Sequence, residues 1–197
     1  MTMKVLFEES FAGKLNPDWI WVHEQSEAWK VADGVLSMQT LPGTLWGEAN
    51  NAYNFLLRSI EEMPNGLISR ATVTSHPRLM GEQAGLIWYL DDDNYIKLVK
   101  ESLEGMQWIV LAREQDGQPE LINKTRISVE SAELQLVLLD GIVHGQFRPS
   151  SKDDWQTVGE CPLLEAATSQ IGLFTHGGPS DIKREVELRS FALLVNQ

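Results

Sequence analysis

The stretch "GEQAGLIWYLDDDNYIKLVKE", residues 81–101, carries two alternating apolar runs on either side of an acidic cluster. Period-two alternation over this length marks half-buried β-strands, and Asp91-Asp92-Asp93-Asn94 is rich in turn-forming residues. The segment therefore reads as an antiparallel hairpin. If Asp91–Asn94 forms a four-residue loop, Leu90 stands opposite Tyr95, Tyr89 opposite Ile96, and Trp88 opposite Lys97. Side chains two apart share a face. One face then holds Ile87, Tyr89, Ile96 and Leu98 and reads as core. The other holds Trp88, Tyr95, Lys97 and Glu101, a chemically loaded surface that a folding core does not need.

The same pattern extends outward in both directions. Fourteen short alternating segments run from Lys4–Glu8 to Glu185–Leu194, separated by turns such as Asp33-Gly34, Asn65-Gly66, Asp116-Gly117 and Asp140-Gly141. Asp-Gly and Asn-Gly suit positive φ and favour tight hairpins. The only helical signal is a turn or two over Pro162–Ser169. With 197 residues and no repeat, linker or low-complexity stretch, the reading is one all-β domain over residues 1–197, an antiparallel two-sheet sandwich. The seven tryptophans are mostly expected to fill space between the sheets.

Sorting the upstream strands places Phe55 and Leu57 on one face, and Leu56 and Arg58 on the other. Arg70, Thr72 and Thr74 form the polar side of the next strand. Consecutive strands usually neighbour one another, which would align Arg58, Arg70, Trp88, Lys97 and Glu101 along one surface. A solvated polar face is the alternative, because antiparallel sandwiches expose one side of each sheet to water.

Composition limits the partners. The net charge of −12 opposes binding to nucleic acid or anionic membranes, while neutral ligands such as sugars remain compatible. Cys161 is the single cysteine, so an intrachain disulfide and a cysteine-rich zinc site are both ruled out, and a quiet structural thiol is expected. The opening Met-Thr-Met-Lys-Val-Leu-Phe-Glu-Glu lacks the apolar run of a signal peptide, and no stretch approaches the ~20 apolar residues of a membrane-spanning helix. A cytoplasmic location follows as the default expectation.

Longer motifs resemble a known family. "FEESFAGKLNPDWIWVHEQSEAWKVADGVLSM" is similar to the opening of concanavalin A-like sandwich domains. "LWGEANNAYNFLLR" followed by "GEQAGLIWYLDDDNYIKL" resembles the C-terminal sandwich of family 43 glycoside hydrolases of the β-xylosidase type. It also resembles domain-of-unknown-function family 1349, through Gln83-Ala84-Gly85-Leu86 and Ile96-Lys97 with Glu101. The closing strands "DDWQTVGE", "QIGLFTHGG" and "VELRSFALL" fit the same superfamily. The resemblance covers nearly the whole chain and implies a jelly roll with a concave face suited to carbohydrate. Mapped by motif, it carries over Arg58, Trp88, Lys97 and Glu101 as ligand-binding candidates. The five-bladed catalytic domain that precedes this sandwich in the hydrolases has no counterpart in the sequence.

The superfamily resemblance also raises calcium, for which Glu8 or Glu9 and Asp33 would be ligands. Arg189 falls where the last strand should supply an acid, so no metal or cofactor is expected. Glycoside hydrolysis usually needs two carboxylates. Neither the Glu-x-Asp-x-x-Glu of sandwich glucanases nor a histidine cluster is present. The reading is thus a lectin-like domain that binds a small saccharide or polyol. Trp88 stacks on the ligand, Tyr95 adds surface, Arg58, Lys97 and Glu101 bond hydroxyls, and Trp46 forms a wall. A glycan-active hydrolase or its accessory subunit, and a protein-interaction module forming a homo-oligomer, are the alternatives.

Overall fold

The structure is a computed structural model and describes residues 3–164 and 169–196. Its strands begin with β1 (Met3–Glu9), β2 (Ile20–Val22), β3 (Trp29–Ala32), β4 (Val35–Gln39), β5 (Leu45–Trp46) and β6 (Ala49–Asn50). They continue with β7 (Phe55–Ile60), β8 (Leu67–Thr74), β9 (Gln83–Asp91), β10 (Asn94–Leu103), β11 (Met106–Gln115) and β12 (Gln118–Arg126). The last five are β13 (Ser131–Leu139), β14 (Ile142–Arg148), β15 (Gln156–Pro162), β16 (Ser169–His176) and β17 (Glu185–Asn196). All fourteen expected strands are present, several longer by one to four residues. The helical turn expected over Pro162–Ser169 falls across residues 165–168, outside the described residues.

Fifteen of these strands form two antiparallel sheets, and β5 and β6 pair as a separate hairpin. One has the order β15-β14-β13-β8-β17-β4-β3, with β1 also paired to β17, and the other has the order β12-β11-β10-β9-β16-β7-β2. A break in β17 explains its double partnership. Ser190 adopts φ 47°, the register shifts between Arg189 and Ala192, and the two halves of the strand pair with β4 and β1 in turn. Apolar residues alternate on the facing sides, so Leu36, Val73, Leu134 and Leu188 of the first sheet meet Leu86, Ile96, Leu98, Ile109, Leu111 and Leu173 of the second.

Trp19 fills one end of this core edge-on to Phe7 and Phe191, at centroid distances of 5.4 and 4.9 Å. Cys161 is buried in the same core, and burial pushes its thiol pKa up to about 11, the inert thiol expected.

Lys100 closes the other end. It shares the inward parity of Ile96 and Leu98, has no exposed surface, and donates to the carbonyls of Ser75 (2.6 Å), Val129 (2.7 Å) and Glu130 (2.8 Å). Those carbonyls follow β8 or precede β13, so one side chain of the second sheet holds two connections of the first. Burial pulls its pKa down to about 8, against the pull of Glu130, and at neutral pH its three N–H groups match three acceptors.

A second apolar cluster lies on the opposite, outer face of the second sheet. Phe55, Leu57, Ile87, Tyr89, Tyr95, Val99, Val110, Ala112 and Phe174 form it beneath Leu45 of the β5–β6 hairpin. This sheet is therefore apolar on both faces in its middle, which a simple two-layer sandwich does not require.

Candidate functional site

The hairpin of residues 81–101 does not turn as its sequence predicts. Asp91 pairs with Asn94, the register then shifts, and Tyr95 stands opposite Tyr89, Ile96 opposite Trp88, and Lys97 opposite Ile87. The cause is side-chain chemistry in the turn. Asp91 Oδ1 accepts from the Asp93 N–H (2.9 Å) and from Asn94 Nδ2 (2.9 Å), which tightens the bend and leaves Leu90 as the extra residue. The one-residue slip moves every β9 side chain to the other face. Trp88 consequently lies between the sheets, 1% exposed, with Ile96 and Leu98. This corrects its expected role as a stacking platform.

Arg58 is also separated from the site. Strands β9 and β16 lie between β7 and β10, and β8 belongs to the other sheet, so the expected run of neighbouring strands does not form. The Arg58 guanidinium instead donates to Asp18 (2.8 Å) and lies 4.0 Å over the Phe7 ring. Arg70 bonds Gln135 and faces Trp155 on the first sheet.

What the register does bring together can be followed row by row across β16, β9, β10 and β11. One row reads His176, Gln83, Glu101, Trp108, and the next reads Phe174, Gly85, Val99, Val110. Then come Gly172, Ile87, Lys97, Ala112, and finally Gln170, Tyr89, Tyr95, Glu114. Polar rows thus bracket an apolar strip into which Lys97 projects.

The β5–β6 hairpin covers part of this face and is tied down by it. The Gly47 N–H donates to Glu114 Oε2 (3.0 Å), Lys97 Nζ donates to the Leu45 carbonyl (3.0 Å), and Asn50 Nδ2 donates to Asp93 (2.8 Å). The Tyr95 hydroxyl lies 2.6 Å from Glu114 Oε2 and 2.7 Å from the Leu45 carbonyl. Its single proton belongs on the carboxylate, where the bond is charge-assisted, and Lys97 serves the carbonyl. Tyr95 has no exposed surface, so it anchors the hairpin and offers no open contact area, a second correction.

Beside the hairpin opens a cleft of about 350 Å³. Gln83, Lys97, Glu101, Val110 and Ala112 line it from the sheet, and Thr44, Trp46, Met80, Leu103 and Leu121 around its margin. Trp46 stands at its margin, with its ring 5.2 Å from Lys97 Nζ. Of the six residues singled out from the sequence, Trp46, Lys97 and Glu101 meet in the cleft, Tyr95 lies beneath the hairpin, and Trp88 and Arg58 are elsewhere. Gln83 is the polar member that was missed. It has the parity of Ile87 and Tyr89, which the register expected from the sequence assigns to the core. A larger cleft, about 440 Å³ between the strand ends, has its central ion pair Arg184–Glu82 closed on itself.

The polar groups on the floor of the smaller cleft, set around Val110 and Ala112, are under-occupied. Lys97 is 1% exposed yet makes one hydrogen bond, and among the described residues no carboxylate lies within 4.0 Å of it. Glu101 is buried, and burial raises its pKa, against the charges of Lys97 and Lys124. Gln83 Oε1 has no protein partner. Neither ring nitrogen of buried His176 makes a hydrogen bond. Burial and the Lys97 charge hold its pKa well below the ordinary histidine range, opposed by the Gly43 backbone. Spare ammonium donors thus face carboxylate and amide acceptors across a narrow apolar strip. A hydroxyl group, which donates and accepts at once, fits such a gap.

Glu101 is the only carboxylate lining the cleft among the described residues. Glu114 lies six positions along the ladder, about 20 Å of strand, and its Oε2 is engaged by Gly47 and Tyr95. The pair is set too far apart for two-carboxylate hydrolysis.

The buried ammonium gives a measurable signature. Burial, opposed by Glu101 and Glu114, brings the Lys97 pKa from its ordinary 10.5 down to about 8. The folded chain therefore gives up this proton before the unfolded chain does. The cost of burying the charge stands in full below pH 8 and is shed as pH rises from about 8 to 10.5, so stability rises across that window. Urea denaturation at pH 7.5 and 10 should show the wild type gaining roughly 2 kcal/mol more than Lys97→Met. Lys100 acts identically in both proteins. Parallel pH dependences would refute a desolvated ammonium at this position.

Two antiparallel sheets in jelly-roll order, with a ligand-sized cleft on the outer face of one, define a concanavalin A-like sandwich. The chain belongs to the family described as the beta xylosidase C-terminal Concanavalin A-like domain, whose profile matches residues 8–175. Among solved structures, the GH43 protein BlXynB from Bacillus licheniformis superposes with a TM-score of 0.82 at 19% identity. That match covers 96% of this chain but only 39% of BlXynB. A functionally unknown protein from Saccharomyces cerevisiae matches at 0.71 and 15% identity, over 91% of this chain and 97% of its own. The CBM2 module of the evolved Dit of Lactobacillus casei BL23 phage J-1 matches at 0.63 and 8% identity, over 98% and 96%. At these identities the likeness is one of fold. No curated protein matches the chain.

Proposed function

We propose that the chain binds a saccharide or related polyol in the cleft beside the β5–β6 hairpin. The observation that carries this reading is the buried Lys97 and Glu101, four residues apart on β10, each without an ion-pair partner among the described residues and both lining a cleft walled by an exposed tryptophan. Burying charges in this way is costly unless their hydrogen-bonding capacity is used. Adjacent hydroxyls of a sugar ring would receive from Lys97 and donate to Glu101 and Gln83, while Trp46 covers an apolar face of the ring. Membership of a family described by a β-xylosidase domain supports a carbohydrate ligand.

Calorimetric titration with pentoses, hexoses and their short oligosaccharides tests the reading. At least one should bind, and Glu101→Gln and Trp46→Ala should each weaken it about tenfold or more, the loss of one charged hydrogen bond or one stacking face. A folded wild type that binds nothing across the panel would end the proposal.

A further inference from the structure

The cleft reverses the order of polarity usual for a protein-docking patch, which has an apolar centre inside a polar rim. Here the floor carries Lys97, Glu101 and Gln83 around Val110 and Ala112, and the mouth carries large apolar side chains open to water. Trp46 is 39% exposed, Leu121 43% and Met80 72%, and all three line the opening. They come from unrelated places: the β5–β6 hairpin, the edge strand β12 and the β8–β9 connection. Scattered exposed hydrophobics are ordinary, but three converging on one opening are not. The cleft, at about 350 Å³, is near the small end of ligand sites and has room for one ring and a short substituent.

Resting on the saccharide reading above, we infer that the ligand is a glycoside with an apolar aglycone. The sugar sits on the floor between Lys97 and Glu101. The alkyl or aryl group leaves through the mouth past the edge of the Trp46 ring and lies against Met80 and Leu121. A free sugar would cover Trp46 and leave Met80 and Leu121 wet, whereas an aglycone would remove these two from water as well.

The experiment compares matched probes: methyl, hexyl and phenyl β-D-xylopyranoside, the same three β-D-glucopyranosides, and hexanol alone, titrated calorimetrically. For a sugar that binds, the hexyl or phenyl glycoside should be at least about tenfold tighter than the methyl glycoside. In the double variant Met80→Ser/Leu121→Ser, both exposed positions, the hexyl-to-methyl ratio should fall towards one. Equal affinities for methyl and hexyl glycosides would overturn this inference and leave the saccharide reading intact. Hexanol binding as tightly as the hexyl glycoside would also overturn it, since the mouth would then act without the floor. No binding by any probe would overturn both.

Discussion

Gly172→Ala should lower the melting temperature by about 10 °C, equivalent to about 3 kcal/mol in a chain of this size. A β-carbon at Gly172 would stand 1.8 Å from the Leu56 carbonyl oxygen and 2.8 Å from its carbon, both backbone atoms of β7. No rotamer relieves the clash, because the Cβ has no torsion of its own, so β16 or β7 must shift. Gly172 begins the row that continues through Ile87 to Lys97, so the shift would reach the cleft as well. Gly13→Ala is the control. Nothing lies within 4 Å of its added Cβ, and a change within about 0.5 kcal/mol is expected. Thermal denaturation of the two variants decides the matter, and similar melting temperatures would show that the strands do not approach so closely.

Glu9→Ala should cost a comparable amount, about 3 kcal/mol. Glu9, raised from the sequence as a calcium ligand, has its carboxylate occupied by protein. Oε1 accepts the Phe11 N–H (3.0 Å), and Oε2 accepts the Asn16 N–H (3.0 Å) and Trp19 Nε1 (3.2 Å). Removing it strands three donors at once, two of them beside the Phe7–Trp19–Phe191 cluster. Phe11, at φ 54°, would lose the bond that holds its unusual backbone. Glu9→Gln keeps an acceptor and should fall between the two. Glu8→Ala, one residue away and exposed, should be nearly neutral. Chemical denaturation followed by tryptophan fluorescence would report both stability and the Trp19 environment, and equal losses at Glu8 and Glu9 would contradict the assignment.

The strands were legible because alternation and Asp-Gly or Asn-Gly turns are local signals, and the fold followed from their number. The missed strands β2, β5 and β6 are two or three residues long, too short to show a period. The candidate site was half legible. On β10 the sorting into Tyr95, Lys97 and Glu101 against Ile96 and Leu98 is correct, since alternation within one strand needs no knowledge of its partner. On β9 it fails, because parity between strands depends on the turn, and the hydrogen bonds of Asp91 select a tight bend with a bulge at Leu90. That single error of register places Trp88 in the expected site and hides Gln83. Arg58 fails for a different reason: strand order in a jelly roll is set by non-local pairing, and adjacency in sequence does not predict it. Lys100 had no local signal at all, since its burial depends on carbonyls from Ser75, Val129 and Glu130 that only the folded chain brings together.

Lys100 also has a consequence for how the two halves of the molecule stay joined. A small positive centre ringed by three carbonyl oxygens is the arrangement that many proteins build around a free ion. Here the ion is covalently leashed to the strand that needs it. Such a junction has no dissociation constant: dilution cannot empty it, chelators have nothing to remove, and it forms at the same local concentration in every molecule, with pH as the property of the medium that can discharge it.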